Sequence, residues 1–138
     1  MIFAFQIRQM IALKKIHHLA IICSDYATSK RFYTETLGFV VVAEHYRPER
    51  MSYKLDLSLN GMYTIELFSF PDPPARVSRP EACGLRHLAF EVDVLNTAVA
   101  DLKQKGVSVE PIRVDEYTGK RFTFFADPDG LPLELYEV

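Results

Sequence analysis

Two histidines and two glutamates occupy matched places in this chain. His18 precedes Gly38 by 20 residues and His87 precedes Gly106 by 19, while Glu66 follows Gly38 by 28 residues and Glu134 follows Gly106 by 28. Imidazole nitrogen and carboxylate oxygen are donors that Ni, Zn, Co, Mn or Fe accept. A catalytic metal needs several of them to converge while positions stay open for substrate. A lone strand histidine is more often structural than a ligand, and a lone glutamate is by default solvated. The duplicated spacing is what favours one divalent-metal site built from His18, Glu66, His87 and Glu134.

A repeated unit must position these residues. "HHLAII" and "RHLAFEV" each open a half of the chain with a histidine and a short apolar run. Each is followed by a helical pattern. In the first, Ala27, Phe32, Tyr33, Thr36 and Leu37 fall roughly at helical spacing, with Asp25 or Ser24 as cap and Gly38 as stop. In the second, Leu95, Ala98, Val99 and Leu102 share a face, with Asp93 as the expected cap and Gly106 as the stop. Strand pairs follow, turning at Asn60-Gly61 and at Asp-Pro-Asp-Gly, residues 127–130. Each half therefore reads β-α-β-β-β, with a histidine on its first strand and a glutamate on its last. The expected fold is α+β, two βαβββ modules forming a cupped mixed or antiparallel sheet around a metal site. Module 1 covers about residues 14–70, a proline-rich linker about 71–83, and module 2 about 84–138, all within one domain.

Strand alternation assigns faces. Two-residue turns at Asn60-Gly61 and Pro128-Asp129 set Leu55 opposite Glu66 and Thr123 opposite Glu134. The Glu66 face then carries Leu55, Leu57, Thr64 and Phe68, and the Glu134 face carries Arg121, Phe125, Pro132 and Tyr136. Phe68 and Tyr53 are expected to line a substrate pocket, and Arg121 suits an anionic substrate group. His17 and His18 are adjacent, so only one can join the site. Aligning "IHHLAI" on "LRHLAF" maps His18 onto His87 and His17 onto Arg86, which leaves His17 exposed or on the outer face.

The totals are consistent with a small-molecule protein. The chain has 138 residues and a net charge of -2, so no strong field favours nucleic acid or an anionic membrane. No run reaches the roughly 18 apolar residues of a membrane span. Cys23 and Cys83 have neither zinc nor disulfide-framework spacing, in keeping with a reducing cytoplasm. Residues 1–13 read as an N-terminal extension, in which either Met10 is an alternative start and residues 1–9 are dispensable, or the segment forms an extra edge strand or a partner contact.

The motifs "HLAI…FYTETLGF", "IELF", "GLRHLAFEV" and "FFADPDGLPLELYE" resemble the vicinal oxygen chelate superfamily, which includes glyoxalase I, extradiol dioxygenases, epimerases and bleomycin-resistance proteins. The resemblance runs from about Lys15 to Val138. It places the family's metal positions on His18, Glu66, His87 and Glu134, a set similar to that of small bacterial glyoxalase-I-like proteins. It implies a lyase or isomerase in which the metal stabilises an enediolate while a glutamate moves a proton between adjacent carbons, Glu134 as base and Glu66 as ligand and second base. It also implies a homodimer. Ile22 and Phe70 stand where an arginine and an asparagine would hold glutathione, so glutathione is not carried over with the motifs. Another metalloenzyme of the superfamily (a dioxygenase, an epimerase or a thiol transferase) and a non-catalytic small-molecule binder are the alternative readings.

Overall fold

The computed structural model describes residues 10–138; the first nine residues of the extension lie outside them. The first half contains β1 (Leu19–Cys23), α1 (Tyr26–Arg31), β2 (Val40–Arg47), β3 (Ser52–Leu59) and β4 (Met62–Ser69). The second contains β5 (Leu88–Val92), α2 (Leu95–Gln104), β6 (Arg113–Val114), β7 (Arg121–Ala126) and β8 (Pro132–Glu137). Each half forms one four-stranded sheet, ordered β1-β4-β3-β2 and β5-β8-β7-β6. In both, the first strand runs parallel to the last and the other pairings are antiparallel. The α+β, twice-βαβββ architecture is the one expected.

Asp25 caps α1, its carboxylate accepting from the Thr28 N–H at 2.8 Å. A π-helical turn, Phe32–Thr36, continues α1 and carries the buried Tyr33. Gly38 ends the segment with φ at 81°, a conformation that only glycine adopts cheaply. Asp93 does not cap α2. The N-cap is Val94, and the Leu95 N–H instead donates to Oε2 of Glu137 at 2.8 Å. A carboxylate from the neighbouring strand thus fills the role expected of a local side chain.

Both hairpin registers differ from expectation by one residue. Asn60 and Gly61 form the two-residue turn, both at positive φ, and Leu59 pairs with Met62. A bulge follows: Ser58 pairs with Tyr63 but Leu57 pairs with Ile65, so Thr64 is extra. Beyond it, Asp56 faces Glu66 and Leu55 faces Leu67. In the second hairpin the connection is longer than two residues. The Asp127 N–H donates to the Leu131 carbonyl, and Asp127 Oδ1 accepts from the N–H groups of Asp129 and Leu131, both at 2.9 Å. Phe124 therefore faces Glu134, and Thr123 faces Leu135. A slip of one residue exchanges the faces of a strand, and it does so here in both halves.

The exchange sorts core from site. Leu55, Leu57, Ile65 and Leu67 are buried in the first sheet, and Phe125, Leu133 and Leu135 in the second. Burying each such side chain stabilises the fold by about 1.5–3 kcal/mol. The two halves meet through this core. The Tyr33 hydroxyl donates to Oδ2 of Asp127 at 2.9 Å, and Phe39 packs edge-on to Phe90. The opposite faces, which carry the histidines and glutamates, are left partly open.

Candidate functional site

The first half-site lies on β1, β3 and β4. His18 immediately precedes β1, and its Nε2 is 3.3 Å from Oε2 of Glu66. Parallel pairing of β1 with β4 sets Ala20 beside Glu66, which brings the preceding same-face residue, His18, alongside. Lys54 Nζ lies 2.9 Å from Oε1 of Glu66 and also bonds Asp56. The Tyr63 hydroxyl donates to the same Oε1 at 2.5 Å. Burial pushes the Glu66 carboxyl up, but the bonds from Tyr63 and Lys54 prevail and hold it below the ordinary carboxylate range. His17 is exposed, as expected, but it does not point away from the site: its Nδ1 is 2.8 Å from Nδ1 of His18, so strict alternation fails two residues before β1 begins. Its ring also meets Tyr63 edge-on.

The second half-site lies on β5, β7 and β8. His87 Nε2 is 3.0 Å from Oε2 of Glu134. Its ring packs edge-on to Phe124, with centroids 5.1 Å apart, and its buried Nδ1 has no hydrogen-bond partner. A cleft of about 510 Å³ opens beside it, lined by His87, Phe124, Arg79, Arg86, Glu110 and Arg113 among others.

The structure brings His18 to Glu66 and His87 to Glu134, as two separate pairs. Among the described residues, no group of three or more His, Cys, Asp or Glu side chains is placed to hold a metal ion. Phe68 shares the Glu66 face, two residues along β4. Arg121 and Tyr53 fall on the other faces. Arg121 pairs with Glu137, Nε to Oε1 at 2.9 Å and Nη2 to Oε2 at 2.8 Å, and Tyr53 stacks on Tyr26 of α1 with centroids 4.2 Å apart. Sequence reasoning missed Lys54, Asp56, Tyr63 and Phe124. The signal was present in "YKLDLSL": Leu55 and Leu57 alternate with Lys54 and Asp56, so a leucine core face implies a charged face that takes Glu66.

Two βαβββ halves, each with a histidine–glutamate pair on the open face of its sheet, define a glyoxalase-like protein. The Glyoxalase/Bleomycin resistance protein/Dioxygenase superfamily model matches residues 15–135, and the chain belongs to that superfamily. It is 70% identical over 125 residues to the Bacillus subtilis (strain 168) protein YwkD, described as uncharacterized, covering 91% of this chain and 98% of that one. It is 30% identical to a 2-epi-5-epi-valiolone epimerase from Actinomyces, covering 89% and 79%. A crystal structure of an Enterococcus faecalis glyoxalase family protein superposes with a TM-score of 0.86 at 52% identity, covering 92% of this chain and all of that one. Among the described residues, no helix is long and apolar enough to cross a membrane.

Proposed function

We propose that this protein is a metal-dependent lyase or isomerase of the glyoxalase I kind, acting on a small oxygenated substrate by proton transfer next to a carbonyl. The observation that carries the reading is the equivalence of the two pairs. Each sheet presents one imidazole nitrogen and one carboxylate oxygen at 3.3 Å and 3.0 Å, at corresponding strand positions. The donor set of each pair suits a divalent metal but fills only half of a four-donor shell. A homodimer that sets the His18/Glu66 face of one chain against the His87/Glu134 face of another completes the set.

In this reading His18, Glu66, His87 and Glu134 hold the metal. When bound, it supplies Lewis-acid charge beside the substrate carbonyl. Glu134 moves the proton between adjacent carbons, with Glu66 as the second carboxylate able to do so. Without metal the His87 Nε2 faces Glu134; Phe124 packs edge-on to that imidazole, fixes the ring and shields the pair from water. A carboxylate is a weak base in water, so such shielding favours transfer. The same steps serve an epimerase, the activity named for the Actinomyces relative.

A second reading is favoured by Lys54. Its ammonium already neutralises Glu66, as expected if the face holds a small ligand without metal or turnover. Elemental analysis of the purified protein separates the two. The metal reading expects about one metal per chain, largely lost in His18→Ala and Glu134→Gln, followed by turnover of methylglyoxal with one of a panel of thiols. Protein that carries no metal and takes up none on titration leaves the binding reading in place.

A further inference from the structure

We propose that Arg47 anchors a negatively charged oxyanion group of the substrate, a carboxylate or a phosphate, on the Glu66 face. The inference rests on that face being the substrate site proposed above. Arg47 ends the edge strand β2 and pairs with Ser52 of β3. Its guanidinium carbon lies 4.9 Å from the Phe68 ring centroid and 5.7 Å from that of Phe70. Those two rings lie nearly parallel, 13° apart, with centroids at 6.2 Å, and form an apolar shelf. Phe68 is the next same-face residue after Glu66, about 7 Å further along the strand. The guanidinium thus sits one side-chain step from Glu66, a carboxylate of the proposed metal site.

The charge on Arg47 is unmatched. Among the described residues it forms no ion pair with any Asp or Glu, although Lys54, Arg113 and Arg121 on the same kinds of strand all do. Residues 1–9 contain no acidic side chain. Nη2 donates to Oγ of the fully buried Ser52 at 2.7 Å, while Nε is buried and has no partner. A half-buried guanidinium with unused donors and no counter-charge is costly unless a ligand supplies the anion.

The second half of the chain offers an internal comparison. Arg113, also on its sheet's edge strand, lies over Phe122 and Phe124 at 5.1 Å and 5.5 Å. There Glu110 Oε2 stands 3.2 Å from Nη2 and neutralises it. Each half thus sets an edge-strand arginine over two aromatic rings, on the neighbouring strand β7 for Arg113 and at the end of β4 for Arg47, but of the two only Arg47 is left without a carboxylate. A planar guanidinium held on an aromatic shelf matches the two oxygens of a carboxylate or phosphate. The substrate class is accordingly a small hydroxy or keto compound that also bears an oxyanion group.

The test uses the full-length protein stripped of metal with chelator, so it does not depend on the metal reading. Inorganic phosphate and glycolate are titrated separately by calorimetry and by thermal shift. At least one is expected to bind saturably to the wild type, and the tighter of the two names the group. Binding is expected to weaken at least tenfold in Arg47→Gln and several-fold in Arg47→Lys, which keeps the charge but loses the fork. If Arg47→Gln does not fold by circular dichroism, Arg47→Lys decides. No saturable binding to the wild type, or wild-type affinity in the folded variant, overturns the role of Arg47. Metal content measured on each protein before the chelator step reports separately on the proposed metal site.

Discussion

The ammonium of Lys54 stands 2.9 Å from the carboxylate of Glu66 and holds Asp56, the residue directly across the hairpin from Glu66, at the same time. One cation therefore serves two carboxylates on the face that carries His18. Burial pushes the Lys54 pKa down, but the bonds to Asp56 and Glu66 outweigh it and leave the ammonium held above the ordinary lysine value. Lys54→Met leaves two facing carboxylates without a cation. Metal-free Lys54→Met is expected to be less stable than the wild type by about 1–3 kcal/mol in urea unfolding, the range for leaving a buried polar partner unmatched. Under the proposed function, a divalent metal should raise the melting temperature of the variant more than that of the wild type, because Lys54 no longer competes for Glu66. An equal rise in both proteins would argue against competition at that carboxylate.

The cap on α2 makes a pH prediction. Arg121 first, and then the Leu95 N–H, hold the Glu137 carboxyl down at about 2. A carboxylate whose folded pKa lies below its unfolded value contributes stability above the unfolded pKa, and that contribution is lost as pH falls toward the folded one. The wild type is expected to lose this contribution between about pH 4.5, the ordinary glutamate value, and about pH 2. Glu137→Gln should be less stable at pH 7 and show a flatter profile across that window. Equilibrium unfolding at a series of pH values checks both; parallel profiles for the two proteins would sink the assignment.

Much of this was legible in the sequence, and the exceptions share a cause. The duplicated βαβββ order followed from apolar periodicity, Gly38 and Gly106 as stops, and the Asn60-Gly61 turn, because each is a local signal. The pairings His18–Glu66 and His87–Glu134 followed from matched spacing. What failed was register. Thr64 bulges out of β4 because Ser58 and Tyr63 hold one phase near the turn while Leu57 and Ile65 keep the core in the other. No local propensity marks that conflict. The cap supplied by Glu137 to Leu95, 42 residues apart, is likewise non-local. Arg121 was assigned to the site for the same reason: with Phe125 facing the core, its side chain points to α2.

A buried hydroxyl joins the two halves, and its loss should depend on pH. Tyr33 donates to Asp127 at 2.9 Å. Burial pushes the Asp127 carboxyl above its ordinary value of 3.8, and the bonds from Leu131, Tyr33 and Asp129 only partly offset it. A raised folded pKa means that the stabilising contribution of proton uptake is present below the unfolded pKa and lost as pH rises through the folded one. Tyr33→Phe removes one of the donors that make the charged form tolerable. It is expected to cost about 1–3 kcal/mol at pH 7, with the deficit shrinking as pH falls and Asp127 takes up a proton. A deficit independent of pH would mean that the cost is packing alone.

The bulge at Thr64 sets which way Glu66 points, and two single-residue deletions test it. A regular ladder running back from the Leu59–Met62 pair would put Thr64 opposite Leu57 and Glu66 opposite Leu55, among side chains that are fully buried. A carboxylate without a partner there is prohibitive. The extra residue absorbs the mismatch, returns Ile65 to the core opposite Leu57, and leaves Glu66 on the face of Asp56 and Tyr63. Deleting Thr64 removes the mismatch itself, so a regular ladder then keeps Ile65 opposite Leu57 and Glu66 opposite Asp56. That variant loses the Thr64 hydroxyl's bond to the Met62 carbonyl and is expected to stay within about 1.5 kcal/mol of the wild type, the usual worth of one hydrogen bond. Deleting Ile65 instead gives a chain of the same length and the same regular ladder, but threonine now takes the buried place opposite Leu57. The lost apolar volume and the buried hydroxyl should cost about 2–5 kcal/mol. Urea unfolding of the two variants gives the comparison. Equal losses in both would show that the core phase of Ile65 is not what the bulge protects.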